Sequence, residues 1–304
     1  MPDAMPAHSD SARTVDCAPA PALPRRLADF ELTRELGRGG MGVVYHALQL
    51  STGREAAVKL IRSDPTAPKG ATQLFLREAT ILSRLNHPRI VEYLSLGLHE
   101  GEMYLAMEYV PVVDFPALLA TQSRPKQIRL ACGVIGRVLE GLQHAHSQDI
   151  VHRDVKPSNI LCFKRDGRLQ VKLADFGLAK NYHSAGLSSL SRENEIRGTL
   201  GYMAPEQIID SRYSKPPCDI YAVGACLYFY LSGKLPISTL EGSDKCAFLL
   251  NKSPASLGEQ APDLPPGLVA IVDRSLAREP GNRFSSAEHM RRVLLPFTSK
   301  SETG

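Results

Sequence analysis

A glycine-rich segment near the start of the chain has the spacing of a phosphate-binding loop. Residues 37–44 read Gly-Arg-Gly-Gly-Met-Gly-Val-Val, which fits the pattern G-x-G-x-x-G-x-V. Glycines at these positions let the backbone lie close over phosphate groups that a side chain would keep away. A dinucleotide-binding fold also uses G-x-G-x-x-G, but it needs a helix directly after the glycines. Here the run 43–47 predicts a strand instead, and the sequence contains no G-x-x-x-x-G-K-[ST] loop.

A lysine follows on the next-but-one apolar run. Ala56-Ala57-Val58-Lys59 approximates V-A-I-K, in which the lysine contacts the α- and β-phosphates. A lysine flanked by apolar residues is, taken alone, most often the edge of a strand. Glu78 changes that balance, because it lies in a helical pattern over 72–85, beside apolar positions where a carboxylate needs a partner. We expect an ion pair between Lys59 and Glu78 that holds the ammonium group towards the phosphates.

Three further motifs follow in a fixed order. Residues 152–159, His-Arg-Asp-Val-Lys-Pro-Ser-Asn, match H-R-D-L-x-x-x-N with valine in place of leucine. Residues 175–177 are a D-F-G, and residues 204–206 are an A-P-E. Each of these motifs can arise by chance, but all of them in this order behind a glycine loop and a lysine are not a coincidence.

Taken together, these motifs resemble those of the Hanks-type, or eukaryotic-like, serine/threonine protein kinases. The resemblance extends over about residues 30–297. The loop at 38–42 and the segment 203–207, Met-Ala-Pro-Glu-Gln, are most similar to the bacterial branch of the family. The resemblance implies transfer of the γ-phosphate of ATP to serine or threonine hydroxyls of proteins, including the kinase itself, in bacterial signalling.

The resemblance implies a role for each side chain of the catalytic segment. Asp154 would accept the proton of the substrate hydroxyl, and Lys156 would neutralise the γ-phosphate. Asn159 and Asp175 would hold Mg²⁺, or Mn²⁺ in its place, since these ions prefer oxygen ligands. Lys156 together with Thr199 marks the serine/threonine kinases, because tyrosine kinases carry an arginine-containing pattern there. The expected catalytic set is Asp154, Lys156, Asn159, Lys59, Glu78 and Thr199.

The resemblance also places ATP. Met107 would be the gatekeeper residue, the backbone of Glu108 and Val110 would bond the edge of adenine, and Asp114 would reach the ribose. Apolar side chains would enclose the base, although plain core packing also explains each of them. The residues expected to bind ATP are Leu36, Gly37, Arg38, Gly39, Gly40, Met41, Gly42, Val44, Ala57, Lys59, Met107, Glu108, Val110, Asp114 and Leu161.

Further expectations from the resemblance concern the support of the site. Asp219 would begin the helix that supports the catalytic loop. Arg283 would pair with Glu206, because a buried carboxylate needs such a partner. A column of stacked side chains would join the two lobes: Leu82, Tyr93, His152 and Phe176. The histidine of this column is then structural rather than a general base.

A regulatory pocket is expected beside the catalytic aspartate. Arg153 is a cation without a partner until an anion arrives, and Lys180 occupies the family position that helps to form the same pocket. A phosphate there would make charge-assisted hydrogen bonds that order the loop between the D-F-G and the A-P-E. The candidate phosphate acceptors are Ser188, Ser189 and Ser191, and Glu193 and Glu195 are an alternative source of negative charge.

Two positions depart from the pattern of basophilic members of the family. Those kinases place an acid four positions after the catalytic aspartate and another ten positions into the following Asp-led helix. This chain has Ser158 and Phe229 at those places. We therefore expect no strong demand for arginine two or three residues before the acceptor.

The hydrophobic pattern predicts an α+β architecture, with a small β-rich lobe followed by a larger helical lobe. The resemblance implies that this architecture is the bilobal protein-kinase fold. The β-like runs of the first lobe are 32–36, 43–48, 56–61, 91–96 and 103–109, and further strand-like segments lie around Ile150 and Val171. The clearest helical patterns of the second lobe are 128–147, 219–232, 267–277 and 285–295. We predict a disordered tail rich in Pro and Ala over 1–27, the lobes over 28–110 and 111–297, and a tail over 298–304.

Composition narrows the class of protein further. The chain has 304 residues, 43% of them hydrophobic, and a formal net charge of +4. This mild charge, without long basic runs, predicts no nucleic-acid partner, and no apolar stretch is long enough to span a membrane. The scattered cysteines predict reduced thiols in a cytoplasmic protein. The expected partners are protein substrates, ATP, and a second copy in a transient homodimer for trans-autophosphorylation.

Two other functions remain open at this point. A pseudokinase would keep the fold as a binding scaffold, but it would normally have lost one of Lys59, Asp154, Asn159 or Asp175, and all four are present. A kinase acting on small molecules is opposed by Lys156, Thr199 and the A-P-E segment. Incubation with labelled ATP, Mg²⁺ and a generic protein acceptor separates the three.

Overall fold

The computed structural model describes residues 23–39, 42–61, 84–176, 200–209, 214–237 and 250–299. Most of the predicted helix over 72–85 lies outside these ranges, as does most of each predicted tail. Several predicted functional residues also lie outside the described residues: Gly40, Met41, Glu78, Leu82, Lys180, Ser188, Ser189, Ser191, Glu193, Glu195 and Thr199.

The first part of the chain forms a six-stranded antiparallel sheet with the order β1-β2-β3-β4-β6-β5. Its strands are β1 (Arg25–Leu27), β2 (Phe30–Gly39), β3 (Gly42–Gln49), β4 (Glu55–Ile61), β5 (Tyr93–His99) and β6 (Glu102–Glu108). The predicted runs coincide with β2, β3, β4 and β6, and the run 91–96 begins two residues before β5. Alternation of side chains along these strands gives the sheet two distinct faces.

The strand β1 corrects the predicted start of the folded region. It lies within the stretch 1–27 that the sequence assigns to a tail, and it pairs with β2 through Arg25↔Leu32 and Leu27↔Phe30. Leu27 is fully buried in the outer core of the sheet. The ordered sheet therefore begins by Arg25, because pairing with β2 stabilises a segment that has no strand pattern of its own.

The second part of the chain is mainly helical. Its helices are α1 (Phe115–Ala120), α2 (Arg124–His146), α3 (Pro205–Ile209), α4 (Pro217–Ser232), α5 (Leu257–Gln260), α6 (Pro266–Ser275) and α7 (Ala287–Leu294). The four predicted helices correspond to α2, α4, α6 and α7, with ends that differ by up to four residues. A hairpin of β7 (Ile160–Arg165) and β8 (Arg168–Leu173) follows a short 3-10 turn at Pro157–Asn159.

The strand predicted around Ile150 is wrong, whereas Val171 lies in β8 as predicted. Ile150 belongs to an irregular segment whose backbone groups are used elsewhere. Its N–H donates to Ala145 at the end of α2, and the next N–H groups, of His152 and Arg153, donate to Asp219. An apolar run cannot pair as a strand when other elements take its hydrogen bonds.

One hydrophobic core continues from the sheet into the helical part. It contains Ala57 and Met107 of the sheet, Val110 between the two parts, and most of α4, which is buried on nearly all sides. The face of the sheet that carries Ala57 and Met107 thus meets the helical part near Val110, and we call this junction between the two lobes the cleft. Among the described residues, no helix combines the length and apolar character needed to cross a bilayer.

Candidate active site

The catalytic loop is anchored to the buried helix α4 through Asp219. One carboxylate oxygen accepts from the backbone N–H of His152 and the other from that of Arg153, both at 2.8 Å. His146 of α2 lies 2.8 Å from the same carboxylate. Burial raises the pKa of Asp219, but the hydrogen bond from His146 and the nearby imidazoles bring it below its ordinary value. Asp219 is thus an ionised anchor for the loop, as expected, and α4 begins two residues before it.

His152 supports the loop from inside. Its Nε2–H donates to the Ala174 carbonyl at 2.9 Å, and its Nδ1 lies 3.2 Å from the Asp154 N–H. Burial lowers the pKa of His152, although Asp219 opposes the shift. The neutral ring packs against Phe176 with centroids 4.4 Å apart. This confirms the structural role expected for His152 and its contact with Phe176 in the stacked column.

Asp154 is surrounded by the other side chains of its motif. Lys156 Nζ lies 3.0 Å from its Oδ2, and the Asn159 amide donates to its backbone carbonyl at 2.8 Å and to Oδ2 at 3.2 Å. The Asp154 side chain is only 10% exposed and that of Lys156 is 25% exposed. A carboxylate held in this way has one geometry towards the cleft, which is what proton acceptance from a bound hydroxyl requires.

Lys59 and Asp175 meet across the cleft. The ammonium of Lys59 on β4 lies 2.9 Å from Asp175 Oδ2. Burial raises the pKa of Asp175, but the charge and the hydrogen bond of Lys59 bring it below its ordinary value. Asp175 has a left-handed φ of 57°, which a non-glycine residue keeps only where its surroundings enforce it. The Lys59–Glu78 pair stays a prediction, because Glu78 lies outside the described residues.

The described residues of the glycine loop lie at the adjoining ends of β2 and β3. Gly37, Arg38 and Gly39 end β2, Gly42 begins β3, and Gly39 pairs with Gly42. Gly42 has a φ of 152°, and a Cβ added there would lie 1.8 Å from the Leu60 carbonyl oxygen. This close approach of two backbones requires a glycine at 42 even before any phosphate binds.

The apolar residues expected around adenine lie in one region. Ala57 pairs with Met107 across β4 and β6, and Val44 of β3 and Leu161 of β7 pack against the same core. Val110 is 7% exposed. The structure brings Ala57, Val44, Met107, Val110 and Leu161 of the two lobes into one core, whereas Leu36 of β2 is exposed and is not part of it. The contacts of all six with adenine stay a prediction.

Two polar residues of the expected ATP site have other contacts. The Glu108 N–H donates to Glu92 O at 2.9 Å, so a bond from adenine to Glu108 must use its carbonyl oxygen. Asp114 is the N-cap of α1 and accepts from the Ala117 N–H at 2.9 Å. One carboxylate oxygen of Asp114 is thus engaged in the cap, and its ribose contact stays a prediction.

The A-P-E segment is fixed by the expected ion pair. Arg283 donates to both carboxylate oxygens of Glu206, at 2.7 and 2.9 Å. The same guanidinium also donates to the carbonyls of Pro217, Ala277 and Arg278. The Arg283 side chain is fully buried, and this set of acceptors satisfies it.

The sequence analysis missed two residues that contact the site. Lys172 of β8 forms an ion pair with the side chain of Glu108, next to the expected adenine position. Gln207 of α3 donates to the backbone of Arg153. The sequence signal for Lys172 is a lysine between two apolar residues, Val171 and Leu173, three positions before Asp175. For Gln207 the signal is a glutamine directly after the A-P-E.

Comparison with known proteins agrees with this geometry. The protein kinase domain family matches residues 30–295. The chain is 34% identical over 284 residues to the serine/threonine-protein kinase PknB of Mycolicibacterium smegmatis, covering 90% of this chain and 43% of that protein. It is 31% identical over 261 residues to PrkC of Bacillus subtilis, covering 86% of this chain and 39% of that protein. The chain thus spans less than half the length of these curated relatives.

A solved structure shows the same fold. The crystal structure of the PknI kinase domain of Mycobacterium tuberculosis matches 91% of this chain and all of that chain, with a TM-score of 0.68 and 24% identity. The family match covers the sheet, the cleft and the helical part, and the motifs lie where the family has its catalytic residues. The chain therefore belongs to the protein kinase family, in its bacterial, Hanks-type serine/threonine branch.

Proposed function

We propose that this chain transfers the γ-phosphoryl group of ATP to serine and threonine hydroxyls of protein substrates. The observation that carries the proposal is the placement of Asp154. Its carboxylate is held by Lys156 and Asn159 at the cleft that also contains Lys59 and Asp175. Membership of the family makes ATP the phosphoryl donor and implies that a metal ion takes part.

The residues of the cleft divide the work of this reaction. The substrate hydroxyl oxygen bonds to the γ-phosphorus while the bond from that phosphorus to the β–γ bridging oxygen breaks, and ADP leaves. Asp154 orients the hydroxyl and takes its proton. Lys156 neutralises charge on the transferred group, and Lys59 holds the α- and β-phosphates.

Asn159 and Asp175 fit the metal ion, which we propose to be Mg²⁺, with Mn²⁺ as a substitute. The side-chain N–H of Asn159 donates to Asp154, so its carbonyl oxygen points away from Asp154. Lys59 engages one oxygen of Asp175, and the other oxygen can contact the ion. No cluster of three or more His, Cys, Asp or Glu exists among the described residues. Two oxygen ligands are sufficient for Mg²⁺, which takes few protein ligands and completes its shell with phosphates and water. The ion would neutralise the charge of the phosphates.

Two features support the choice of acceptor. Lys156 lies beside Asp154, in the position typical of serine/threonine kinases. Phe229 packs edge-to-face on Tyr202 with centroids 6.3 Å apart, and Ser158 is exposed. The two places where basophilic kinases carry acids are thus apolar or neutral. We propose substrates that do not need arginine before the acceptor.

We also propose that the kinase is switched by phosphorylation of its own loop. Arg153 has a left-handed φ of 67°, and in the described part of the chain no partner reaches its buried Nε. This cation would receive a phosphate on Ser188, Ser189 or Ser191, with help from Lys180. Phosphorylation would pass from one copy to another in a transient homodimer.

We propose a cytoplasmic location for this activity, where ATP is available. The buried cysteines of the described residues support it, because Cys132, Cys162, Cys218 and Cys226 are all free thiols.

The direct test uses purified protein, γ-labelled ATP, Mg²⁺ and a generic protein acceptor. The expected result is label on phosphoserine and phosphothreonine, lost with a chelator and restored by Mg²⁺ or Mn²⁺. The matched control is the Asp154→Asn variant. Binding of ATP without any transfer would indicate a pseudokinase, and label only on a small molecule would overturn the proposal.

A further inference from the structure

Gln207 has a buried side-chain amide at the start of α3, and the oxygen of this amide caps the helix. It is 4% exposed and is the third residue of the helix after Ala204. Its Oε1 accepts from the Ala204 N–H at 3.2 Å, while its own N–H donates to the Ala204 carbonyl at 3.0 Å. A glutamine at this position commonly reaches back to the N-cap backbone in this way.

The other half of the amide leaves the helix. Its Nε2 donates to the carbonyl of Arg153 at 3.1 Å and lies 3.5 Å from Ser214 Oγ. The orientation of the amide follows from its partners. With nitrogen and oxygen exchanged, Nε2 would face the Ala204 N–H, donor against donor, and Oε1 would face the Arg153 carbonyl, acceptor against acceptor. Gln207 therefore ties the A-P-E segment to the residue directly before Asp154.

This bond acts on the peptide unit that carries the catalytic aspartate. The Arg153–Asp154 peptide is planar, so its carbonyl and its N–H move together. Gln207 holds the carbonyl, and His152 Nδ1 accepts from the N–H at 3.2 Å. The N–H of Arg153 is in turn bonded to Asp219 at 2.8 Å. The left-handed φ of Arg153 is thus enforced by partners on both of its backbone groups.

We propose that Gln207 is a positioning residue for Asp154: its amide N–H fixes the Arg153–Asp154 peptide plane and thereby the direction of the catalytic carboxylate. The inference rests on the proposed kinase function. The competing explanation is that Gln207 only caps α3. The two explanations separate cleanly, because a carboxylate in its place keeps the acceptor for the Ala204 N–H but loses the donor for the Arg153 carbonyl.

The decisive variants are Gln207→Glu and Gln207→Met, compared with wild type. The first keeps the cap, and the second removes both bonds at nearly the same volume. The matched control is Gln143→Met, since Gln143 Oε1 accepts from the Glu288 N–H at 3.0 Å and so joins α2 to α7 rather than to the catalytic loop. Turnover is divided by the number of nucleotide-binding sites, so that unfolded protein does not count.

We expect both Gln207 variants to lower kcat about tenfold or more while the KM for ATP stays within about twofold, because small displacements of a reacting group are costly. The control should keep kcat within about twofold of wild type even where it is less stable. For Gln207→Glu, the ratio of its kcat to that of wild type should fall as the pH rises, since burial raises the pKa of a carboxyl and only a protonated carboxyl can donate to Arg153.

Hydrogen exchange of the segment 152–156 gives a readout that does not depend on activity. It should be faster in both Gln207 variants and unchanged in Gln143→Met. The inference is overturned if Gln207→Glu keeps wild-type kcat up to pH 9, if its exchange in this segment is unchanged, or if Gln143→Met loses as much turnover. If wild type itself transfers no phosphate, the proposed function fails and the exchange comparison still decides the role of Gln207.

Discussion

Lys59 and Asp175 form an ion pair of 2.9 Å across the cleft, although 116 positions separate them in the chain. The pair joins the sheet to the segment that follows β8. In the proposed reaction, once the nucleotide binds, Lys59 also contacts its phosphates and Asp175 contacts a metal ion with the oxygen that Lys59 does not engage. The pair keeps both charges satisfied in the cleft until then.

The first prediction follows from this pair. Lys59→Met should lower turnover on the order of 100-fold and weaken nucleotide binding, because a preorganised charge at the phosphates is lost. The variant also leaves Asp175 without its cation, so burial should raise the pKa of that carboxyl. Steady-state kinetics together with calorimetric titration of ATP measure both effects. Turnover close to wild type would refute the role of Lys59.

The second prediction concerns Asp154. Asp154→Asn should lower turnover by about 10²–10⁴, the range for removal of a general base, while ATP still binds. The reason is that Asp154 faces the acceptor hydroxyl and contacts Lys156 and Asn159 rather than Lys59. The same two measurements apply. A parallel loss of ATP affinity would mean that the residue acts on the nucleotide instead.

The third prediction is a dependence of stability on pH. The folded pKa of His152 is lowered by burial, so the unfolded chain binds more protons once the pH falls below the unfolded value near 6.5. Its contribution to stability is complete above that value and is lost as the pH falls, by up to about 1.4 kcal/mol per pH unit. Asp175 and Asp219 do not add to this change, because their lowered pKa values keep both ionised until the pH falls below 3.8.

Urea unfolding between pH 7.5 and 5.5 tests this dependence. His152→Gln keeps a donor and an acceptor but cannot ionise, so its free energy of unfolding should fall less over this range than that of wild type. The burial of His87 also lowers its pKa, so part of the slope should remain in the variant. Identical slopes for the two proteins would contradict the assignment.

The sequence predicted those residues of the site that belong to a recognisable motif, and it did not predict contacts between residues outside the motifs. Asp154, Asn159 and Asp175 were identified through their motifs, and the pair of Arg283 with Glu206 through the resemblance to the family. The ion pair of Lys172 with Glu108 was not predicted, because 64 positions separate the two residues and no sequence motif contains both. The contact forms because Leu173 of β8 pairs with Ile90, and the neighbouring Lys172 then reaches Glu108 at the end of β6.

The fold shows the same division. Helices such as α2 were predicted from periodicity, which is a local property of the sequence. The strand β1 was missed because Arg-Arg-Leu has no alternation, and only the free edge of β2 makes it a strand. Ile150 was assigned wrongly because hydrogen bonds from distant residues, above all Asp219, determine the backbone there.

The fourth prediction compares two glycines of the phosphate-binding loop. Gly42→Ala should lower thermal stability, because its Cβ would lie 1.8 Å from the Leu60 carbonyl oxygen and its φ is 152°. Gly37→Ala meets nothing within 4 Å and should keep the stability of wild type. Thermal unfolding without nucleotide measures both. Equal melting temperatures of the two variants would mean that the structure accommodates a Cβ at position 42 without strain.

The last prediction concerns the switch at Arg153. Replacing Ser188, Ser189 and Ser191 together by alanine should lower kcat about tenfold, to a basal level that is not zero. Arg153 lies directly before Asp154 and its buried Nε lacks a partner in the described part of the chain, so an anion there would make charge-assisted bonds close to the catalytic carboxylate. Arg153→Lys is the matched variant, because lysine keeps the charge but cannot form the planar two-point contact of a guanidinium with phosphate.

Mass spectrometry before and after phosphatase treatment should find phosphate on at least one of these serines, and phosphatase should lower wild-type activity to that of the triple variant. If the triple variant matches wild type in rate, the phosphate switch is wrong, and Glu193 or Glu195 becomes the better candidate for the anion at Arg153.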